Sequence, residues 1–503
     1  MFNKYFQLLK EKITTTPLFV VSGVIMGLGF FTNFSWVLGL TGIFIFLVAI
    51  SKAQTLKAVV GGSYLTWTIS SGLAVSVFWS VYPIEWVDLG LGRLEIVVIG
   101  AKWLITTILL GSGGAVFGAA YWFAKKYFSF LTYILLIPLI WVLAEVSQSF
   151  IYSVFVVGPG MTANIYNSTG YVGYLFSSHS GLLNFAKIGG VYSMSFVAVL
   201  LGSGLYYIFS QYPFKFFART LTIGFIVLLF SSASVFLEQE KTSAGITVAV
   251  VETRFGGKDY YGEQDVWEYR GERLNEAVAA AMETGASYVV LPEDSRFTEM
   301  VDNPDVAYRT FSFLNKRSEV VLIDTSRVLT SGDEAALRGF VYDGVAQKMR
   351  LADKQYLTPL GEYFPYTYGY ALSIFGLHEQ ATKMNKELSY RPGVFKSQSD
   401  FPDYLPRILF CFEVLNPISV RSLVKNAEVP FVAHPISHAW FHDSRLLERQ
   451  LDNMLKVQSV WNQVTIISAA NMTSSKIYSP DGSVIEPVTT VEGENWQVKL
   501  INL

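Results

Sequence analysis

Long apolar stretches dominate the first 240 residues and then give way to short apolar runs separated by polar turns. About seven stretches have membrane-spanning length, at roughly 16–32, 35–51, 58–80, 103–123, 129–150, 189–209 and 218–237. Only "FTNFS" separates the first two, and "VFVVGPG" with "GYLFSSHSGLLNF" reads as a partly embedded connection before the sixth. Beyond about Gly245 the period changes. "ITVAVVE" reads as a buried strand, "YRGERLNEAVAAAMETG" has helical spacing, and "SYVVLPED" is a strand again. "EVVLIDTSRVL", "GFVYDGVAQKMRLADK", "RILFCFE", "VPFVAHP" and "VTIISAANM" continue the series, some as hairpins. Strands alternating with helices predict an α/β layered fold. The chain therefore divides into a polytopic helical membrane domain over 1–240 and an α/β domain over 241–503.

Charge sharpens that division. Residues 1–240 hold 12 Lys/Arg and 7 Asp/Glu, and the other 263 hold 26 and 33. Lys4, Lys10, Lys12, Lys52, Lys57, Lys125, Lys126, Lys215 and Arg219 fall on one side of a seven-helix arrangement, and only Arg93, Lys102 and Lys187 on the other. The positive-inside rule then puts the N-terminus in the cytoplasm and the α/β domain outside it. Glu145, within "IPLIWVLAEVSQSF", is either a functional intramembrane carboxylate or a structural one with a hydrogen-bond partner. A net charge of −2 argues against a nucleic-acid partner, which needs a basic face. One cysteine in 503 residues excludes an intrachain disulfide and a Cys-rich metal site.

Three polar residues stand where α/β folds place chemistry, at strand ends. Glu293 ends "SYVVLPE", Lys354 follows the hairpin of "RLADKQYLTPLGEYFP", and Cys411 ends "RILFC". A base that takes the thiol proton and a cation that stabilises the thiolate make cysteine a nucleophile, and a carboxylate and an ammonium fill those roles. Taken singly, each has a plainer reading: a small buried hydrophobe, a loop carboxylate and a solvated lysine.

The order "LPED", "DKQYLTPLGEYFP", "CFE" resembles the carbon-nitrogen hydrolase (nitrilase) superfamily, whose triad runs Glu, Lys, Cys. Lys354 followed by Pro359, Gly361, Glu362, Tyr363 and Pro365 is similar to the apolipoprotein N-acyltransferase branch. So are "HAWFHDS", "AANMTSSKIYSPDG", "IPLIWVLAE" and "IGGVYSMSF", and the resemblance extends over nearly the whole chain. There are departures. Phe412 replaces the usual Tyr, Asp294 the usual Thr, and "SHAW" the usual "NDAW"; Trp267 is only a loose equivalent of a family tryptophan. No final C-terminal membrane helix is evident in "WQVKLINL".

The resemblance implies an α-β-β-α sandwich in the cell (inner) membrane of a bacterium, with the catalytic domain on the extracytoplasmic side. It implies Glu293 as general base, Lys354 as oxyanion stabiliser and Cys411 as nucleophile, without cofactor or metal. Glu362, Glu413 and Phe412 would support them, Glu413 either in catalysis or as a helix cap. The implied reaction transfers an acyl chain from a phospholipid, through a thioester, to the amine of a lipoprotein's modified N-terminal cysteine. The aromatic run 361–377, with Tyr363, Phe364, Tyr366, Tyr370 and Phe375, is expected to be a lipid-facing arm. Two alternatives carry the same residues: a membrane-anchored amidase that uses water, and a catalytically inactive membrane scaffold. A transporter fits less well, because the helices carry few paired charges.

Overall fold

A computed structural model of the chain describes residues 2–84, 92, 95–210, 245–260, 264–300, 319–331, 334–374, 376–394, 398–442 and 444–503. The six apolar segments within the described residues are helices: α1 (Phe2–Gly29), α2 (Ser35–Lys52), α3 (Leu56–Ala74), α4 (Glu95–Tyr127), α5 (Phe130–Phe155) and α6 (Ala186–Ser210). The expected seventh segment, 218–237, lies outside the described residues. Among the described residues four stretches are long and apolar enough to cross a membrane: Ser35–Lys52, Glu95–Tyr127, Leu135–Phe155 and Ala186–Phe209. The first half is thus that of a multi-pass membrane protein.

Apolar helices in lipid gain little from hydrophobic burial against each other, so packing decides their contacts. Trp67 of α3, Phe117 of α4 and Trp141 of α5 cluster in the bundle centre with Phe46 of α2, Trp67 stacked on Phe117 and the two indole rings 4.1 Å apart. Gly114 of α4 lies against the Ser63 carbonyl of α3, where a Cβ would collide. Residues 156–183 fold back into the bundle, and Val172–Phe176 is buried there. Glu145 fastens this segment, accepting from the Val172 N–H (2.8 Å) and the Trp141 indole (3.1 Å). Of the two readings of Glu145, the hydrogen-bonded structural one matches the geometry.

The second half opens with β1 (Thr247–Thr253), α7 (Gln264–Glu283), β2 (Tyr288–Val290), β3 (Val321–Ser331), β4 (Glu334–Asp343) and β5 (Lys348–Asp353). Two helices follow, α8 (Tyr366–Ile374) and α9 (His378–Glu387), and then β6 (Arg407–Ile408), α10 (Ser419–Val424), β7 (Val432–Ser437) and α11 (Arg445–Asn462). The chain closes with β8 (Ile466–Asn471), β9 (Lys476–Tyr478), β10 (Val484–Ile485), β11 (Thr489–Gly493) and β12 (Trp496–Asn502).

These strands form two leaves, β11-β12-β1-β2-β3-β4-β5 and β6-β7-β8-β9-β10, joined by the bridge between Thr253 and Asn471. Strand alternation sorts the faces. Val248 and Val250 of β1 pack with Ala433 of β7 and Ile467 of β8 between the leaves, while Ala249 and Val251 turn outward onto α7. On the far side, Val432 and Ile466 meet α11. The order of layers is helix, sheet, sheet, helix, as the α-β-β-α expectation has it. The C-terminal "WQVKLIN" is β12, antiparallel to β1 along its whole length.

Helix α11 belongs to both halves. The Ser444 hydroxyl caps its first turn, and Leu447, Leu451, Met454 and Leu455 share one apolar cluster with Leu175, Leu183 and Met194 of the membrane half. Gln450 donates to the Ala74 carbonyl at the end of α3 (2.7 Å). Gly190 has φ +59° and lies against the Trp461 ring, where a Cβ would collide. Contacts with the α/β half come from the same end of the bundle: the ends of α3 and α5 and the starts of α4 and α6. Lys52, Lys57, Lys125 and Lys126 sit at the opposite helix ends.

Candidate active site

Cys411 follows the two-residue strand β6, and the strand is fixed from both edges. Leu409 N–H donates to the Ala433 carbonyl of β7 (2.8 Å). On the other side the Gln398 side chain imitates a neighbouring strand, accepting from Ile408 N–H (2.7 Å) and donating to its carbonyl (2.8 Å). The expectation that Cys411 ends this strand needs correction. Pairing stops at Ile408, and Cys411 opens a 3-10 turn, Cys411–Leu415, with φ +34°. A left-handed conformation at a residue with a Cβ costs about 1–3 kcal/mol and persists only where its surroundings enforce it. Two contacts do so. The Glu413 carboxylate accepts from Phe410 N–H (3.0 Å), and His434 Nε2 donates to the Cys411 carbonyl (2.9 Å).

His434 then accepts the Ser468 hydroxyl at Nδ1 (3.0 Å). Burial pushes its pKa down to about 4, so it is neutral near pH 7 and serves as a hydrogen-bonding strut. Neither Gln398 nor His434 stands out in the sequence. Their partners are backbone atoms whose positions only the fold supplies.

The sequence-predicted acids and base converge here. Lys354, just beyond β5 and 1% exposed, donates to Glu293 Oε1 (3.1 Å) and to Glu362 Oε1 (2.5 Å). Glu293 lies three residues past β2, in the loop rather than at the strand's end, and it accepts a hydrogen bond from the Cys411 thiol. Glu362 also accepts from Thr358 N–H (2.7 Å), which closes the loop around the lysine. Glu413 accepts from the Gln355 and Tyr356 N–H groups (2.8 and 3.1 Å). One carboxylate therefore caps the thiol turn and ties it to the lysine loop. No group of His, Cys, Asp and Glu among the described residues could hold a metal ion.

The electrostatics follow from burial and proximity. Burial pushes the Glu293 carboxyl up to about 7, although the Lys354 ammonium opposes the shift. Burial works against the ammonium, but the Glu293 and Glu362 carboxylates outweigh it and hold the Lys354 pKa well above its usual value. Burial, reinforced by Glu293, holds the Cys411 thiol protonated at rest. The acceptor in contact with that proton is Glu293.

The site opens into a cavity of about 190 Å³ between the two halves. Glu293 and Cys411 lie in its wall. The rest is mostly apolar, with Val75, Phe78 and Tyr152 from the bundle and Phe441, Leu451 and Met454 from the α/β half. Phe412, whose ring lies 5.4 Å from that of Phe441, also borders a smaller chamber of about 80 Å³. The aromatic run 361–377 divides. Tyr363 and Phe364 are buried rather than lipid-facing, because the Tyr363 hydroxyl donates to the Val156 carbonyl at the end of α5 (2.7 Å) and draws both rings inward. Tyr366 and Tyr370, on α8, are exposed, and Phe375 lies outside the described residues. Trp267 stacks between the guanidinium groups of Arg270 and Arg296 (4.4 and 4.9 Å).

No protein-family model and no curated protein matches the sequence. Solved structures similar to it include a cysteine-to-alanine mutant of the Nesterenkonia AN1 amidase from the nitrilase superfamily, at 15% identity and TM-score 0.35, with 51% of this chain and 91% of that one covered. Another is an amidase from Nesterenkonia sp., at 15% identity and TM-score 0.33, covering 51% and 90%. A carbon-nitrogen hydrolase from Helicobacter pylori G27 is similar at 12% identity and TM-score 0.33, covering 51% and 89%.

Proposed function

We propose that this protein is a membrane-embedded acyltransferase that moves an acyl chain from a phospholipid, through a Cys411 thioester, to the N-terminal amine of a diacylglyceryl-cysteine lipoprotein. The observation that carries the reading is the position of Cys411 and Glu293 in a mostly apolar cavity shared with membrane helices. A water-using amidase of small polar substrates has no need of such walls. A lipid ester does, because withdrawing a chain from the bilayer costs about 0.8 kcal/mol per CH₂.

In the first step Glu293 takes the Cys411 proton as sulfur attacks the ester carbonyl. The Lys354 ammonium faces the oxyanion that forms. Collapse of the tetrahedral intermediate breaks the bond to the alcohol oxygen. Protonated Glu293 returns the proton to that oxygen, and a lysophospholipid leaves. In the second step the acceptor amine attacks the thioester and gives a proton to Glu293. The thiolate departs and is reprotonated, leaving an amide. A carboxyl with pKa about 7 suits both directions of transfer. The gathering of Lys52, Lys57, Lys125 and Lys126 at the end of the bundle away from the catalytic half favours an extracytoplasmic active site.

Intact-mass spectrometry after incubation with phospholipid tests the reading. The protein is expected to gain one acyl chain that hydroxylamine removes, and Cys411→Ala to gain none. Absence of the adduct, with release of ammonia from a carboxamide substrate, would favour the amidase. Neither activity would favour the scaffold.

A further inference from the structure

Lys102 lies in the second turn of α4, on the same helix face as Thr106, and both residues line the cavity that holds Cys411. Among the described lining residues it is the cationic one. Among the described residues no carboxylate forms an ion pair with it. Its ammonium sits over the Phe78 ring at 4.6 Å and makes a long contact, 3.4 Å, with the Pro359 carbonyl in the Lys354–Glu362 loop. The other charges in the wall are engaged: Glu293 and Glu362 with Lys354, and Asp294 with Arg296 at 2.7 Å.

Depth in the membrane narrows what this cation meets. From Lys102 to Lys125 the helix rises about 35 Å at 1.5 Å per residue. The hydrocarbon layer is about 30 Å thick, so with Lys125 and Lys126 at one interface Lys102 stands at the other. Aromatic side chains mark the same level. Trp79 and Trp103 pack 5.9 Å apart, and Trp79 and Tyr82 are exposed as an interfacial belt requires. At this height the abundant anion is a lipid phosphate.

We infer that Lys102 binds the phosphodiester of the acyl donor, so that the cavity selects phosphate-bearing lipids over neutral acylglycerols. The phosphate and the ester groups of a glycerophospholipid are a few bonds apart. An anion held at Lys102 leaves the chains to follow Phe78, Leu451 and Met454 into the cavity and brings an ester toward Cys411. Lysine serves here as a point charge for phosphate.

The inference rests on the acyl-transfer reading, and the test separates the two. The full-length protein in mixed micelles is given phosphatidylglycerol or diacylglycerol with the same chains, and formation of the Cys411 adduct is followed by mass. For Lys102→Met, KM for phosphatidylglycerol is expected to rise at least tenfold with kcat little changed. The loss on diacylglycerol is expected to be at least tenfold smaller, and Lys102→Arg to restore most of the phospholipid rate. An equal loss on both donors, or none on phosphatidylglycerol, overturns the inference and leaves acyl transfer standing. A wild-type protein that takes a chain from neither donor overturns both. Inorganic phosphate at millimolar concentration is expected not to compete; full competition would make this a free-anion site and overturn the lipid assignment.

Discussion

Glu145 and Glu293 are two buried carboxylates, 1% and 6% exposed, one in each half of the molecule. Glu145 is held by neutral donors, an indole and a backbone N–H. Glu293 shares a lysine with a second carboxylate and touches a thiol. Both oblige the fold to remove a charge from water, and the difference lies in what surrounds it. Neutral donors make a carboxylate a fastener between two segments. A cation and an acidic hydrogen make it a station for protons. Burial alone therefore does not distinguish function from architecture; the partners do.

The largest effects should separate these two residues most sharply. Glu293→Gln keeps the shape and removes the base, and acyl-enzyme formation is expected to fall by about 10²–10⁴. If single-turnover rates stay within tenfold of wild type, Glu293 is not the base. Lys354→Met is expected to lower the rate by about 10²–10³, the usual loss when one oxyanion partner is removed. The acid limb of kcat/KM tests the Glu293 environment directly. Its carboxyl is raised to about 7 and must be ionised to accept the proton, so the rate should fall about tenfold per pH unit below 7. A limb near 4.5 would mean that the site is wetter than its burial implies.

Smaller effects sharpen the other side. Tyr366→Ser with Tyr370→Ser removes the exposed rings of α8, each worth on the order of 1 kcal/mol of interfacial binding, and should lower turnover several-fold on vesicles. Equal turnover would end the idea of a lipid-facing arm. Glu145→Gln keeps the oxygen that both donors use and is expected to change stability by less than about 1 kcal/mol, with turnover per molecule unchanged. Glu145→Ala strands both donors and should cost about 1–3 kcal/mol, read as a lower midpoint in thermal unfolding.

Much of this was legible in the sequence because periodicity and charge are local. The long apolar runs marked the helices, and short apolar runs between polar turns marked β1, β3, β7 and β8. Glu293, Lys354 and Cys411 were legible from the motifs around them, as was Glu362. What stayed hidden depends on atoms far apart in the chain. Gln398 pairing with Ile408, and His434 reaching the Cys411 carbonyl 23 residues upstream, leave no local pattern. The inward turn of Tyr363 and Phe364 was misread for the same reason: composition suggests a surface, and one hydrogen bond to Val156 decides otherwise.

Helix α11 carries a practical consequence for anyone wishing to purify the α/β half on its own. Its apolar residues face a sheet on one side and the transmembrane helices on the other, so a truncation beginning near residue 245 would carry a greasy, uncovered strip into buffer. Such a fragment should clump or demand detergent even though its sandwich is intact. Assays and inhibitor screens on this protein are therefore best planned around the intact chain in micelles or nanodiscs.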